Sequence, residues 1–181
     1  MSVLDELHKE ILNCHKCGLA RYRTHAVPGE GAADAQIMFI GEAPGRDEDI
    51  QGRPFVGAAG KFLTALLNSI DVKRTQVFIT NVVKCRPPNN REPREDEINT
   101  CNDYLVAQIA CIKPKVICTL GNYALRTLLP DSPSISKVHG LARRQSDIIF
   151  IPLYHPAAAL YNENMKRIMV LDIRKLTELL R

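Results

Sequence analysis

The sequence predicts an α/β fold in which helices cover both faces of a parallel β-sheet. Four short segments are almost continuously apolar, as strands buried on both faces of a sheet are. Segments with the apolar spacing of helices separate them along the chain. The chain has 181 residues, of which 45% are hydrophobic and 24% are charged, as in ordinary globular proteins. We therefore expect one domain over residues 1–181.

The four apolar segments are taken as the strands of the sheet, because each is short and rich in branched or aromatic side chains. A loop over residues 13–35 precedes the first of them. The predicted strands are 35–41, 76–83, 115–121 and 147–153.

The predicted helices alternate with these strands. In the first, apolar residues share one face, and Ser2 with Asp5 three positions later is typical of a helix start. The third begins with acidic residues, as the helix dipole prefers, and Asn122 is the expected N-cap of the fourth. The five predicted helices are 3–12, 60–70, 94–112, 122–129 and 163–180.

Charge and the start of the chain restrict the setting. The formal net charge of +4 is mildly basic and is compatible with a polyanionic partner. No apolar run approaches the length of a membrane span. The opening residues, MSVLDELHKEILNC, are acidic and amphipathic, unlike a signal or transit peptide. We expect a cytoplasmic protein.

Polar residues follow three of the predicted strands. In open α/β sheets, ligands bind outside the carboxyl ends of the strands. The first strand leads into Glu42, the second into Asn81 and the fourth into His155. Each of these could alone cap a helix or close a turn, but a carboxylate, an amide and an imidazole at one edge together favour a functional site.

Six cysteines stand at positions 14, 17, 85, 101, 111 and 118. In a cytosolic protein, disulfides are not expected. Cys14 and Cys17 form a C-x2-C pair, and with Cys85 and Cys101 they make a four-sulfur site that suits zinc or an iron–sulfur cluster. The wide separation of the second pair favours a cluster. The remaining two cysteines lie in apolar stretches and are expected in the core.

These motifs, taken in order, resemble the family 4 uracil-DNA glycosylases, the iron–sulfur branch of the uracil-DNA glycosylase superfamily. The matching pieces are GEAPGRDED (41–49), GRPFVGAAG (52–60), TNVVKCRPPNNREP (80–93) and HPAAAL (155–160), together with the cysteines at 14, 17, 85 and 101. The resemblance implies a three-layer α/β/α sandwich around a central four-stranded parallel sheet. It also implies a [4Fe–4S] cluster on those cysteines and a DNA repair enzyme that releases uracil and leaves an abasic site.

The resemblance assigns roles to residues at the strand ends. The target nucleotide must leave the duplex, because its base cannot be reached there. Phe55 is then expected to stack on the uracil ring. The Asn81 amide would pair with uracil O4 and N3–H, and cytosine presents the reverse pattern. His155 would hydrogen-bond uracil O2 and stabilise the charge that develops on the leaving base.

The residue that activates water is the open assignment. The best-known uracil-DNA glycosylases carry an aspartate where this chain, like family 4, has Ala43. Glu42 is our first candidate for orienting the water, followed by Asp49 or Glu48. Glu48 could instead fill the space of a thymine methyl group. The expected uracil pocket comprises Glu42, Ala43, Glu48, Phe55, Asn81 and His155.

DNA is the expected partner, with free uracil as the product. Contacts should go mostly to phosphates, and Leu160 or Tyr161 could fill the gap left by the flipped base. Single- and double-stranded DNA are both open, the protein is expected to be a monomer, and a sliding clamp is a candidate partner. The predicted phosphate contacts are Arg86, Arg91, Arg94, Lys137, Arg143 and Arg144.

Three other functions were weighed. A uracil-DNA binder that traps its product through a histidine is disfavoured, because residues 82–96 contain no histidine. An iron–sulfur electron carrier would leave Phe55, Asn81 and His155 without a role. A zinc-bound nucleic-acid module predicts a colourless protein, and a brown preparation would count against it.

Overall fold

A six-stranded sheet forms the centre of the computed structural model, which describes residues 2–179. The strands are β1 (Glu30–Gly31), β2 (Ile37–Gly41), β3 (Phe78–Asn81), β4 (Val116–Leu120), β5 (Arg143–Gln145) and β6 (Ile148–Leu153). Their order across the sheet is β1-β3-β2-β4-β6-β5. The inner strands β3, β2, β4 and β6 are mutually parallel, which confirms the predicted four-stranded parallel sheet.

Two short antiparallel edge strands extend this sheet beyond the prediction. β1 pairs with β3, and β5 pairs with β6. β1 has only two residues, and all three residues of β5 are exposed. Neither strand could be recognised from an apolar pattern, because neither buries a side chain.

Within residues 2–179, seven α-helices flank the strands: α1 (Val3–Leu12), α2 (Arg46–Gln51), α3 (Ala58–Asn68), α4 (Glu95–Ile112), α5 (Gly121–Leu128), α6 (Ile135–Val138) and α7 (Glu163–Leu179). Short 3-10 helices cover Gly18–Arg21, Arg74–Gln76, Pro88–Asn90 and Pro156–Ala159. All five predicted helices are present, although position 180 of the last lies outside the described residues. The short helices α2 and α6 were not predicted.

The two predicted helix caps have different outcomes. The Ser2 cap of α1 is confirmed: Asp5 N–H donates to Ser2 Oγ over 3.1 Å, and Ser2 N–H donates to the Asp5 carboxylate over 2.8 Å. The Asn122 cap is wrong, because α5 begins one residue earlier. The side-chain oxygen of Asn122 instead accepts the N–H of Ile135, at the start of α6, over 3.0 Å.

The hydrophobic core lies in two layers on opposite faces of the sheet, which confirms the α/β/α sandwich. Met38 and Ile40 of β2 pack in the layer that includes α1 and α4. Ile37 and Phe39, which point to the other face, pack in the layer that includes α3 and α7. Within the described part of the chain, no helix has the length and apolar character needed to cross a membrane.

The parallel strands bring the predicted site to one edge of the sheet. β2 is central, and the chain leaves it first toward β3 on one side and later toward β4 on the other. The crevice at such a switch point, outside the carboxyl ends of the strands, is where α/β sheets bind ligands. Glu42 and Asn81 stand at the ends of β2 and β3, and His155 follows β6 by two residues.

Candidate active site

One cavity of about 370 Å³ opens at this edge of the sheet. It is lined by residues at or just after the ends of β2, β3 and β6, and by the loop that precedes α4. The lining residues are Glu42, Ala43, Pro44, Gly45, Glu48, Phe55, Ala59, Asn81, Pro87, Asn90, Arg91, His155 and Ala157. All six residues of the expected uracil pocket are among them, although they come from four separate parts of the chain.

Asn81 presents an unused hydrogen-bond acceptor to this cavity. The residue is only 1% exposed, and its Oδ1 atom has no hydrogen-bond partner among the described residues. A buried polar atom without a partner costs roughly 1–3 kcal/mol. An acceptor left open in a cavity wall is therefore suited to a ligand that brings an N–H group.

Gly41 makes room for the two side chains that define the cavity floor. A Cβ atom at this position would lie 2.4 Å from Asn81 Oδ1 and 2.5 Å from Phe55 Cζ. Both distances are far below van der Waals contact. The glycine at the end of β2 is therefore required for Phe55 and Asn81 to approach each other, a role that the sequence alone did not reveal.

Phe55 is held in an uncommon backbone conformation. Its φ of 50° lies in the left-handed region, which non-glycine residues rarely adopt. Arg74 fixes this conformation: its guanidinium donates to the Phe55 carbonyl over 2.9 Å and also to the Pro54 carbonyl. The Arg74 Nε atom in turn lies 2.7 Å from the Glu30 carboxylate. Arg74 lies 19 residues after Phe55 in the sequence, and no local pattern predicts the contact between them.

His155 stands beside Phe55, with ring centroids 5.6 Å apart. Its Nδ1 atom accepts the N–H of Ala157 over 3.2 Å, which places the ring proton on Nε2. Burial lowers the pKa of this imidazole to about 4. At neutral pH the ring is therefore uncharged, and Nε2–H is free to donate to a ligand.

Glu42 is the one carboxylate of the cavity wall with no hydrogen bond to its side chain within the described residues. Partial burial raises the pKa of Glu42, and the nearby Glu92 carboxylate raises it further. A carboxylate with an elevated pKa and open lone pairs is suited to accept a proton from water.

The other two acidic candidates have structural contacts instead. Glu48 lines the cavity, but its carboxylate accepts backbone N–H groups from Val56 at 2.8 Å, Gly57 at 2.9 Å and Gly45 at 3.1 Å. It joins two loops of the cavity wall.

Asp49, the other candidate for the catalytic base, is not among the lining residues, so the structure does not bring it together with Glu42 and His155. The side chain is 3% exposed, and its Oδ1 atom accepts the N–H groups of Thr24 and His25. Asp49 thus joins α2 to the loop that contains Thr24 and His25.

The predicted DNA contacts are distributed unevenly around the cavity. Arg91 lies in its wall, but the guanidinium is held by the Glu97 carboxylate through contacts of 2.7 and 2.9 Å. Arg94 pairs with the same Glu97 at 3.0 Å. Arg86 donates to Asn90 over 2.7 Å. The three guanidinium groups therefore already have hydrogen-bond partners within this part of the chain, and a phosphate would compete with those partners.

Arg143 and Arg144 lie far from the mouth of the cavity. They pair with Phe150 and Ile149, toward the beginning of β6, whereas His155 follows its end. Five residues of extended chain correspond to about 16 Å. Lys137 is exposed on α6.

Three further residues lie within four positions of lining residues along the chain. Leu160, at the end of the 3-10 helix after His155, is partly buried, and Tyr161 is 99% exposed. Arg46 was not among the predicted phosphate contacts. It follows the lining residue Gly45. It is exposed and makes no hydrogen bond or ion pair within residues 2–179.

A second cavity is lined by four cysteines: Cys14, Cys17, Cys85 and Cys101. None of them is in a disulfide. Arg23 donates to Cys85 Sγ over 3.0 Å, and the Lys84 N–H donates to Cys101 Sγ over 3.3 Å. Burial raises the pKa of the Cys85 thiol to about 11, so a metal must displace a proton to bind there.

The other two cysteines lie outside this cavity. Cys118 is fully buried in the core, as predicted. Cys111 was also predicted to be a core residue, but it is only partly buried, so that prediction is wrong.

Four cysteine sulfurs around one cavity are a donor set that fits either a structural zinc ion or a four-iron cluster. A tetrahedral zinc site gathers its four sulfurs around a single centre, with Zn–S bonds of about 2.3 Å. A four-iron cubane carries one cysteine on each iron and so spreads its ligands further apart. The hydrogen bonds to Cys85 and Cys101 are of the kind that tune such clusters.

Comparison with known proteins gives a consistent result over almost the whole chain. The model of the uracil DNA glycosylase superfamily matches residues 28–176. A type-4 uracil-DNA glycosylase of Sulfurisphaera tokodaii is 51% identical over 99% of this chain and 86% of its own length. That of Saccharolobus solfataricus is 50% identical over 99% and 88%, and that of Archaeoglobus fulgidus is 46% identical over 99% and 94%. The chain, with its cavity at the carboxyl edge of a four-stranded parallel core, therefore belongs to the uracil DNA glycosylase superfamily and, within it, to the type-4 uracil-DNA glycosylases.

Proposed function

We propose that the protein is a uracil-DNA glycosylase that takes deoxyuridine out of DNA and hydrolyses its N-glycosidic bond. The products are free uracil and an abasic site. The observation that carries the proposal is the pairing of two groups in one cavity: the open Oδ1 acceptor of buried Asn81 and the free Nε2–H donor of neutral His155. Uracil has an N3–H donor for the first and an O2 acceptor for the second. Phe55, beside the His155 ring, offers its face to the base.

The residues support a dissociative hydrolysis. The bond between uracil N1 and the sugar C1′ breaks, and its electron pair leaves with the base, so negative charge develops on the uracil ring and positive charge on the sugar. Nε2–H of His155 donates to O2, where that charge gathers, and one such donor contributes roughly 3–4 kcal/mol. Water then adds to C1′, and its proton goes to the carboxylate that we assign as the base, Glu42.

The iron–sulfur assignment belongs to the same proposal. We infer that Cys14, Cys17, Cys85 and Cys101 hold a [4Fe–4S] cluster, supported by their common cavity and by the similarity of the chain to type-4 uracil-DNA glycosylases. The cluster would join the N-terminal segment to the loop after β3 and to α4. Cys85→Ser should lower the iron content and the melting temperature together. Cys111→Ser, outside the cavity, should leave both unchanged. Full iron in the first variant would contradict this ligand set.

For DNA, the proposed contacts are the free guanidinium groups at the surface, Arg46 near the rim and Arg143 further away, with Leu160 or Tyr161 next to the flipped nucleotide. Arg86 and Arg91 are proposed to act through the loop that they shape. A monomeric state, a cytoplasmic location and a sliding clamp as partner stay predictions.

The direct test is cleavage of an oligonucleotide that contains one uracil. After incubation, alkali cuts the strand wherever the base has been removed. The wild-type protein should give scission at uracil and none at thymine or cytosine. Asn81→Ala and His155→Ala should each lower the single-turnover rate by about 10²–10³-fold. Asn68→Ala, at an exposed asparagine at the end of α3, should behave as wild type. A wild-type protein that leaves uracil in place would refute the proposed function.

A further inference from the structure

A lysine is completely buried between the active-site cavity and the cysteine cavity. Lys84 is 1% exposed. Its Nζ atom donates to Asn81 O over 2.6 Å, to Thr80 Oγ1 over 2.7 Å and to Gln108 Oε1 over 2.7 Å. An ammonium group has three N–H donors, and here each of them has one acceptor. Burial of this polar group is tolerable because all of its hydrogen bonds are made.

The acceptors around Lys84 are themselves fixed. Gln108 donates from Nε2 to the Pro28 carbonyl over 2.7 Å, and Thr80 donates from Oγ1 to the same carbonyl over 2.8 Å. The network thus connects β3, α4 and the loop before β1 without an exposed member. A fully satisfied buried network of this kind is rigid and specifies one arrangement of the elements that it joins.

Lys84 also contacts the cysteine site. The residue lines that cavity, and its backbone N–H donates to Cys101 Sγ over 3.3 Å. The next residue along the chain is Cys85. The tight turn from Asn81 to Lys84 is thus closed at one end by the ammonium on the Asn81 carbonyl and held at the other by a cysteine sulfur.

We propose that Lys84 is a positioning residue for uracil recognition, which orients the Asn81 peptide and ties it to the cysteine ligands of the cluster. The inference rests on the proposed function. Asn81 is the last residue of β3, so the direction of its side chain depends on where its carbonyl is held. The cysteine site is then a support for base recognition as well as for the fold, through one residue that contacts both.

The test measures uracil binding as well as activity. Lys84→Met keeps the length and apolar stem of the side chain and removes the three donors. Calorimetry with free uracil should show affinity at least 10-fold weaker, and kcat should fall, while KM for the uracil oligonucleotide stays within about 2-fold. Iron content should equal that of wild type. Lys115→Met removes the same charge from an exposed site before β4 and should change none of these values.

A second variant covers the case in which Lys84→Met does not fold. Thr80→Val removes one acceptor of the ammonium with little change of shape, and we expect full iron content and uracil affinity about 3-fold weaker. Full iron with wild-type uracil affinity in either variant would overturn the inference. Failure of wild type to excise uracil would instead refute the proposed function, so the two outcomes are separate.

Discussion

At the scale of single residues, the site depends on two side chains whose hydrogen-bonding state is set by their surroundings. Asn81 keeps an acceptor open because Gly41 leaves no Cβ between it and Phe55. His155 keeps Nε2–H free because a backbone N–H occupies Nδ1. The neutral imidazole can donate this hydrogen bond to the developing negative charge on the base and keep its proton on Nε2.

The pKa of His155 has a measurable consequence. Because burial lowers it to about 4, the folded ring stays neutral while an unfolded ring, with a pKa of 6.5, takes up a proton. The unfolded state therefore binds more protons below pH 6.5, and the folded state loses stability as pH falls toward 4. NMR of the histidine ring should show no titration of His155 between pH 8 and about 5. A midpoint near 6.5 would contradict the assignment of a neutral donor.

The Glu42 carboxylate predicts the acid side of the rate profile. Its pKa is raised, by partial burial first and by Glu92 second, and a base must be deprotonated to act. The single-turnover rate should therefore fall as pH decreases through a midpoint above the ordinary glutamate value of 4.5. Glu42→Gln should lower the rate at neutral pH and remove this dependence. A variant that keeps the wild-type profile would show that the base lies elsewhere.

At the scale of elements, the cavity depends on a close approach between the Phe55 loop and the first turn of α3. Gly60 makes this approach possible, because a Cβ at this position would lie 1.8 Å from the Phe55 carbonyl oxygen. Arg74 donates a hydrogen bond to the same carbonyl. Phe55 is thus placed by α3 and by Arg74, although it lies between helices and in neither of them.

Gly60→Ala should therefore displace Phe55 without touching the cavity directly. We expect uracil affinity to fall by at least 10-fold and the melting temperature to decrease, as measured by calorimetry. Gly18→Ala is the matched control, because an added Cβ there meets nothing within 4 Å. Equal uracil affinity in the two variants would contradict the placement of Phe55 by α3.

The elements that the sequence predicted are those with apolar periodicity. All five long helices and the four central strands bury one or both faces, and their apolar spacing identifies them. The edge strand β5 and the short helix α2 bury few side chains, so their positions depend on neighbouring elements that a local pattern cannot show. For the same reason, the cap of α5 was assigned to Asn122, whose amide has a tertiary partner.

At the scale of the whole molecule, the sheet order decides which residues meet. Glu42, Asn81 and His155 could be predicted to share an edge, because parallel strands have their carboxyl ends together. Asp49 could not be separated from Glu48 by sequence, since the two are adjacent on α2 and only burial distinguishes them. Arg74 and Gly60 both approach the Phe55 carbonyl from other parts of the sequence, and no local sequence pattern predicts these contacts.

Electrostatics across the molecule gives a prediction for DNA binding. Arg46, next to the lining residue Gly45, has no ionic partner in the described part of the chain, whereas Arg91 is paired with Glu97. Each phosphate contact contributes roughly 0.9 to the slope of log affinity against log salt concentration for duplex DNA. Arg46→Gln should weaken binding to any sequence and reduce that slope by about one. An unchanged slope would show that Arg46 does not contact phosphate.

The central claim is that residues from separate parts of the fold form one pocket for uracil. A crystal structure of the protein soaked with free uracil tests it directly. We expect the base to lie against the Phe55 ring, with N3–H on Asn81 Oδ1 and O2 on His155 Nε2. Uracil bound anywhere else, or bound in this cavity without contact to Asn81, would contradict the account.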